Sequence, residues 1–364
     1  MTEVRIGTFN VENLFSRARV LNKADFASTA GILTKIDILK SELAKKVYDK
    51  DAIATLYEDL RDYIEFNVTS SKGRKHVCIW HADTGTVEVD VNGRDDWNGH
   101  IVVKRSKFDD VTRKNTARVI ESLDADILAL IEVEDRQTME DFNADVLGSR
   151  YAGAFSIQGF DSRGIDVGLY FARGWTLVGC ATHIFEMVDD HRIFSRDCLE
   201  VELAGPGDVR IHVLVNHFKS KSGNAPAESD AKRLGEATRV AEILRRFDLR
   251  RDFVVVLGDF NDTPTSGPLA PLMTVDGLRD VFDAVVPPVP VADRWTYHYR
   301  SNEQIDHVLV SEALAGHVKK VEVERRGIAD LDRYTGGAQV SFDTVTSWRN
   351  AASDHAGIVA TFSF

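Results

Sequence analysis

Phe253-Val-Val-Val-Leu-Gly-Asp-Phe-Asn-Asp-Thr-Pro264 is the stretch on which the reading of this chain turns. Phe253 to Leu257 is a short apolar run without polar alternation, which predicts a strand buried on both faces. Gly258 permits a tight exit, and Asp259 and Asn261 follow two residues apart at the strand end. As an isolated string, Gly-Asp-Phe-Asn reads equally well as a plain turn. The rest of the chain decides between the two.

The same pattern, an apolar run meeting acid, Asn or His, recurs along the sequence. Strands are predicted at Val4 to Asn10, Asp126 to Ile131, Ile165 to Phe171, Val209 to Phe218, Ile305 to Val310 and Gly357 to Phe362. Lys75 to Trp80 with Thr86 to Val91, and Trp175 to Phe185 with Phe194 to Leu203, read as hairpins. Two amphipathic helices are expected. Asn115 to Leu123 carries Ala117, Ile120 and Leu123 on one face, and Ser229 to Phe247 carries Leu234, Ala237, Val240, Ala241, Leu244 and Phe247, with Ser229 as N-cap. Many strands and few helices around one core predict two packed sheets with helices outside them. Residues Ser16 to Thr112, with a charged helical stretch at Thr34 to Phe66 and a polar segment at Asn92 to Asp110, read as an elaboration of a single domain spanning 1–364.

Of the 364 residues 43% are apolar and 28% charged, with 8 prolines, the composition of a chain able to bury a sizeable core. No run is long enough to span a bilayer, no signal peptide is visible, and the three cysteines, Cys78, Cys180 and Cys198, lack metal or redox spacing. A reduced, cytoplasmic protein is expected. The formal charge of -12 argues against tight non-specific binding to nucleic acid or anionic membranes. It does not exclude a nuclease, because carboxylates gathered around a metal add negative charge that the bound cation offsets.

Hydrolysis of a phosphodiester requires cationic charge on the phosphate oxygens, a base for water and stabilisation of the leaving oxygen. Hard Mg2+ or Mn2+ takes oxygen ligands. The strand-end patches TFNVENL at Thr8, LALIEVED at Leu128, RGIDVGLY at Arg163, VNHFKSK at Val215, LGDFNDTP at Leu257, QIDHVLVS at Gln304 and SDH at Ser353 supply these groups. Asn10, Glu12, Glu132, Asp259, Asn261, Asp306 and Asp354 offer oxygens. His217 and His355 offer protons. Asn10 and Glu12, two apart in an extended segment, point the same way. Alone, each patch has a plainer reading: a solvated strand-end acid for Glu132, as for Glu134 and Asp135, and a turn for Asn-x-Glu or Ser-Asp. His307 alternates away from the face of Asp306. No phosphate loop of the Gly-x4-Gly-Lys-Ser/Thr kind, nucleophile elbow or His-Glu-x-x-His helix competes.

Taken in order, these patches resemble the endonuclease/exonuclease/phosphatase (DNase I-like) superfamily, with wording nearest its bacterial extracellular nuclease-like branch. The resemblance implies a four-layered α-β-β-α sandwich of two mainly antiparallel sheets with outer helices. It also implies one or two Mg2+ or Mn2+ ions on Glu132, Asn10, Glu12 and Asp354. By the same resemblance Asp259 orients or deprotonates water, Asn261 fixes it, Asp306 orients His355 against the phosphate, and His217 lies near the scissile group. The family separates the Asn and His of the fourth patch by one residue, whereas Asn216 and His217 are adjacent here, so either could point inward. Asn216, Arg163 and Lys219 are expected to touch substrate. A nuclease acting on DNA or RNA by in-line water attack is the leading expectation. A phosphatase or phosphodiesterase on a small-molecule or lipid phosphoester is the alternative, and a catalytically silent binding module is the second alternative.

Overall fold

The inner faces of two six-stranded sheets meet in one apolar layer. The structure, a computed structural model, describes residues 2–16, 18–22, 26–71, 76–106, 108, 110–221 and 225–364. It divides into two compact units, 1–15 with 108–364, and Ser16–Lys107. In the larger unit the first sheet runs, in spatial order, Val318–Glu324, Gly357–Ser363, Glu3–Leu14, Ile127–Val133, Asp166–Phe171 and Gly153–Ser156. The second runs Leu278–Asp280, Asp306–Ser311, Val254–Asp259, Arg210–His217, Cys198–Ala204 and Thr176–Ala181. Each sheet has one parallel pair, Glu3–Leu14 with Ile127–Val133 and Arg210–His217 with Val254–Asp259, among antiparallel neighbours.

Alternation along the strands sorts side chains into layers. Ile6, Ile131, Ile358, Val215, Leu257 and Val308 fill the space between the sheets. Their sequence neighbours face outward. Phe9, Leu128, Leu130 and Val359 lie beneath helices Val111–Leu123 and Arg136–Asp145, while Leu214, Val256 and Leu309 lie beneath helix Pro226–Leu244. The order helix, sheet, sheet, helix is therefore the expected four-layered sandwich.

Several local expectations need correction. The long helix begins at Pro226, not at Ser229, which sits buried inside its first turns; proline suits the first helical position because its missing N–H has no partner there. Helix Arg136–Asp145 was not anticipated, and Asp135 caps it by accepting the Thr138 N–H at 2.7 Å. The smaller unit carries helices Phe26–Leu43 and Lys50–Leu60, then an antiparallel pair, Ile64–Ser71 with Trp97–Val103, where a helical end and a polar segment had been expected. Its hairpin is Cys78–His81 with Thr86–Val89; the expected start at Lys75 lies outside the described residues. This unit has its own core, including Ile53, Leu60, Ile64, Val91 and Trp97.

Gly258 must be glycine. Its φ is 131°, and a Cβ there would stand 1.9 Å from the carbonyl oxygen of Asn216 on the neighbouring strand. Gly258→Ala is expected to cost at least about 3 kcal/mol, through backbone strain and a clash against rigid backbone. A denaturant midpoint equal to wild type would contradict this. Elsewhere, Glu186 takes two bonds from Arg239 (2.6 and 2.8 Å) and one from His183 (2.9 Å), fastening the segment after the Thr176–Ala181 strand to the long helix. The Arg239 bonds, first of all, depress the Glu186 pKa from 4.5 to about 2. A depressed carboxylate stabilises the fold fully above its unfolded pKa and loses that contribution as pH falls through the folded value. Melting temperature should thus decline between pH 4.5 and 2, and less steeply in Glu186→Gln.

Candidate active site

Three polar side chains stand side by side where the second sheet's apolar inner face ends. His217 pairs with Asp259 across the parallel ladder, and Asp259 with Asp306 across the antiparallel one. At two-residue spacing His217 follows Val215 and Asp259 follows Leu257, while Asp306 precedes Val308, each a core residue of the same face. The register places the row, and the buried strands hold it rigid.

Asp259 is the hub. One carboxylate oxygen accepts the Asn261 backbone N–H at 2.8 Å. The other accepts Nδ2 of Asn10, from the opposite sheet, at 3.1 Å and Nδ2 of Asn261 at 3.2 Å. The same oxygen lies 3.7 Å from Nε2 of His217 and 3.9 Å from Nε2 of His355. Nδ1 of His355 is 2.8 Å from Asp306, so the expected Asp–His pair is formed. Nε2 of His217 is also 3.9 Å from Glu132, and Nε2 of His355 is 3.9 Å from Asp354.

Glu12 and Glu132 enter by a route that simple alternation does not provide. Glu12, Asn13 and Glu132 have φ of 49°, 62° and 70°, and the ladders slip between Asn10 and Leu14 and between Ile131 and Val133. Unbroken alternation would send Glu132 outward with Leu128 and Leu130; the bulge brings its carboxylate to His217 instead. The expectation that extended geometry aligns Asn10 with Glu12 is corrected too. Asn10 Oδ1 accepts the Glu12 N–H at 3.1 Å and closes a local turn.

Electrostatics divides the two histidines. Burial works against a charged His355 ring, yet the carboxylates of Asp306 and Asp259 outweigh it and hold the pKa well above the ordinary value. Burial, with the positive charges of Arg196, His355 and Arg163 nearby, drives His217 well below it. His355 is thus an imidazolium and His217 a neutral ring at neutral pH. Burial, then the neighbouring Asp306 and Glu132, raises Asp259 to about 7. Desolvation, then Asp354 and Glu132, raises Glu12 to about 7; burial and Asp354 raise Glu132.

Carboxylates that repel one another fit a hard divalent cation, which supplies the missing positive charge. Glu12, Glu132 and Asp354, which repel one another, form such a set with Asn10 beside them. Among the described residues the His and carboxylate group whose ligand atoms already lie within 4.8 Å of one another is a different one, Asp259, Asp306 and His355. The imidazolium and its hydrogen bond to Asp306 disfavour a metal there, because a ligating histidine must be neutral.

Not every expected residue arrives. Asn216 faces the helix side, fully buried, with Nδ2 on the Leu214 carbonyl at 3.0 Å, so of the adjacent pair His217 points inward. Arg163 is exposed, grips Asp161 through its guanidinium and adds positive charge at Glu132 and His217. Lys219 also adds charge at His217; Lys221 is tied to Asp262 at 2.9 Å. His307 bonds the Asp262 carbonyl at 2.9 Å on the outer side, as alternation predicts. No local pattern pointed to Arg196, Arg233 and Glu236, which hold the backbone after His217. Arg196 donates to the Phe218 carbonyl at 2.7 Å, Arg233 to the Lys219 carbonyl at 2.8 Å, and Glu236 accepts the Lys219 N–H at 2.7 Å. Tyr297 was missed as well; its ring centroid is 4.9 Å from that of His355. The density of aromatics in Trp295-Thr-Tyr-His-Tyr-Arg300 was the available signal.

Asp306→Asn tests the charge on His355. Loss of the carboxylate should lower the His355 pKa, so that side-chain NMR of the metal-free protein finds imidazolium above pH 7 in wild type and neutral imidazole in the variant. Equal titration in both would contradict the assignment.

Solved structures share this fold. A D. rerio TDP2 complexed with single-strand DNA product has a TM-score of 0.50 at 15% identity, covering 71% of this chain and 96% of that one. A truncated C. elegans TDP2 has a TM-score of 0.49 at 19% identity, covering 70% and 91%. The human Nocturnin catalytic domain with bound sulfate has 0.48 at 17%, covering 70% and 86%. Comparison with curated protein sequences gave no match. The sequence profile of the Endonuclease/Exonuclease/phosphatase family matches residues 88–325, more than half of the chain, and leaves outside it the first patch, at Thr8, and the last, at Ser353. This chain therefore belongs to the Endonuclease/Exonuclease/phosphatase family, whose members hydrolyse phosphoester bonds with divalent metal.

Proposed function

We propose that this protein is a nuclease that cleaves phosphodiester bonds in DNA or RNA by in-line attack of water, without a covalent intermediate. The observation that carries the reading is Asp259, buried and fixed by Asn10 and Asn261, with His217 and the Asp306-held His355 beside the oxygen that takes both amides. A carboxylate so constrained can hold a water and accept its proton in one orientation. His355, as a cation, binds the non-bridging phosphate oxygens and gains most when their charge grows in the transition state. His217, neutral and beside Asp259 and Glu132, can hydrogen-bond the same phosphate or the attacking water. Glu132, with Glu12, Asp354 and the Asn10 carboxamide, would hold Mg2+ or Mn2+. Bound there, the ion neutralises phosphate charge and stabilises the departing oxygen.

The net charge of -12 favours the second reading, a phosphodiesterase or phosphatase acting on a small phosphoester, over a processive nucleic-acid enzyme. Unpaired Cys78, Cys180 and Cys198 support a reducing, cytoplasmic setting.

Supercoiled plasmid, single-stranded DNA and RNA, incubated with the protein in Mg2+ or Mn2+, decide between the readings. Cleavage of at least one, lost with chelator and restored by metal, is expected. Turnover of bis-(p-nitrophenyl) phosphate or an inositol phosphate with no nucleic acid cut would replace the nuclease by the second reading. Asp259→Ala should lower turnover at least about 1000-fold with an unchanged circular dichroism spectrum, since its loss falls on the transition state. A fully active variant would remove Asp259 from the mechanism.

A further inference from the structure

Beside His355 the chain builds an aromatic and basic cavity that the hydrolytic chemistry does not use. A short hairpin, Tyr297–His298 with Asn302–Glu303, is stitched to the catalytic strand end: Tyr297 bridges to His355, and the Ala356 N–H bonds the Thr296 carbonyl at 2.7 Å. Tyr297 turns its ring to His355, while His298 stacks on Tyr334 with centroids 3.8 Å apart and planes at 19°. Tyr299, at the turn, is 70% exposed, with the Arg300 guanidinium 5.5 Å from its ring. His298, Tyr299, Ser301, Asn302, Arg333 and Tyr334 line an open, shallow cavity of about 530 Å3.

We propose that this cavity is a stacking subsite for an unpaired nucleotide next to the scissile phosphate, so that the preferred substrate is a single-stranded nucleic acid. The proposal rests on the nuclease reading and deepens it. Planar aromatic faces take any base by stacking, and guanidinium groups take the flanking phosphates. Among the described residues no carboxylate lines the cavity, although the chain as a whole is strongly acidic, so its lining departs from the average surface in the direction a polyanion requires. Asn302 Oδ1 is 2.6 Å from His298 Nδ1 and the Ser301 hydroxyl donates to Glu303 at 3.4 Å, which leaves the Asn302 amide nitrogen as a donor for a base edge. In a duplex both faces of a base are covered by its neighbours, and the subsite would have nothing to stack on. An acyl chain fits this lining poorly, because the Arg333 guanidinium and the Asn302 amide nitrogen would lose hydration without gaining a partner.

The test uses the full chain with Mn2+ and compares wild type, Tyr299→Ala and Arg333→Ala. The substrates are a 12-nucleotide single strand, the same sequence as a blunt duplex, and bis-(p-nitrophenyl) phosphate, which has no base to stack. Wild type should prefer the single strand. Each substitution should lower kcat/KM on it about tenfold, with a change of less than about twofold on the small diester, and thermal melts should show both variants folded. Single-strand kcat/KM that stays at the wild-type value, falls in parallel on all three substrates, or starts below that for the duplex overturns the subsite while leaving a nuclease in place. Turnover of the small diester with no cleavage of any nucleic acid overturns the nuclease reading and the subsite with it.

Discussion

The 3.1 Å hydrogen bond from Asn10 to Asp259 joins the two sheets where their shared core gives way to polar side chains. Along both strands the inner face is apolar up to Ile6 and Leu257, and becomes polar at Thr8, Asn10 and Asp259. A slip of one residue in either strand would move that boundary to the wrong face and expose the core. It would also strand a carboxylate that is 1% exposed, and a buried charge without partners is too costly to keep. Packing and polar satisfaction therefore select the same register, and the active row inherits its precision from both.

That row is asymmetric in charge because its partners are. His355 has a carboxylate against Nδ1 and others beyond Nε2; His217 is held neutral by burial first and by nearby cations second, with carboxylates no closer than 3.7 Å to its Nε2 and, among the described residues, no partner for its buried Nδ1. Two rings, both facing the inter-sheet side, thereby take opposite protonation states. On the proposed function, a phosphate entering between them would meet one fixed cation and one ring able to give or take a proton. Arg196 has a part in this division without any contact with the row: its buried charge disfavours the proton on His217 while its guanidinium holds the next peptide.

The sequence was most legible where a single physical rule governs. The apolar run predicted a buried strand and Val254 to Leu257 is fully buried, with Phe253 half-buried at its start, and two-residue spacing put Asp259 beyond Leu257 and Asp306 before Val308 on one face. Legibility failed where tertiary structure overrode alternation. Glu132 reaches the site only through a left-handed backbone, which a glutamate does not announce, and the choice between Asn216 and His217 depended on the phase of one strand. Ser229 resembled a cap because Ser is a good one, but Pro226 had already started the helix. Strand Trp97–Val103 was hidden among polar and glycine residues because it belongs to a two-stranded pair with one face open. Long-range ion pairs such as that of Arg233 with Asp262 carry no local signature at all.

Where the local rules fail is itself informative. Glu12, Asn13, Glu132 and Asn261 all adopt positive φ without being glycine, at a cost on the order of 1–3 kcal/mol each. Such strain persists only if the surroundings over-determine it, and here they do. The Asn261 side chain bonds both Asp259 and the Phe218 carbonyl. The Phe218 carbonyl also takes Arg196, and Lys219 is held through its N–H and its carbonyl by Glu236 and Arg233. Three nearly inaccessible charged side chains thus spend hydrogen bonds on two adjacent residues beside the catalytic row. Apolar replacements of Glu236 and Arg233 could fill the same volume, but would take from Lys219 the partners of its N–H and its carbonyl. The network is consequently a device for backbone position: it keeps the donors around Asp259 fixed before a phosphate arrives, so that little reorganisation remains for the reaction itself.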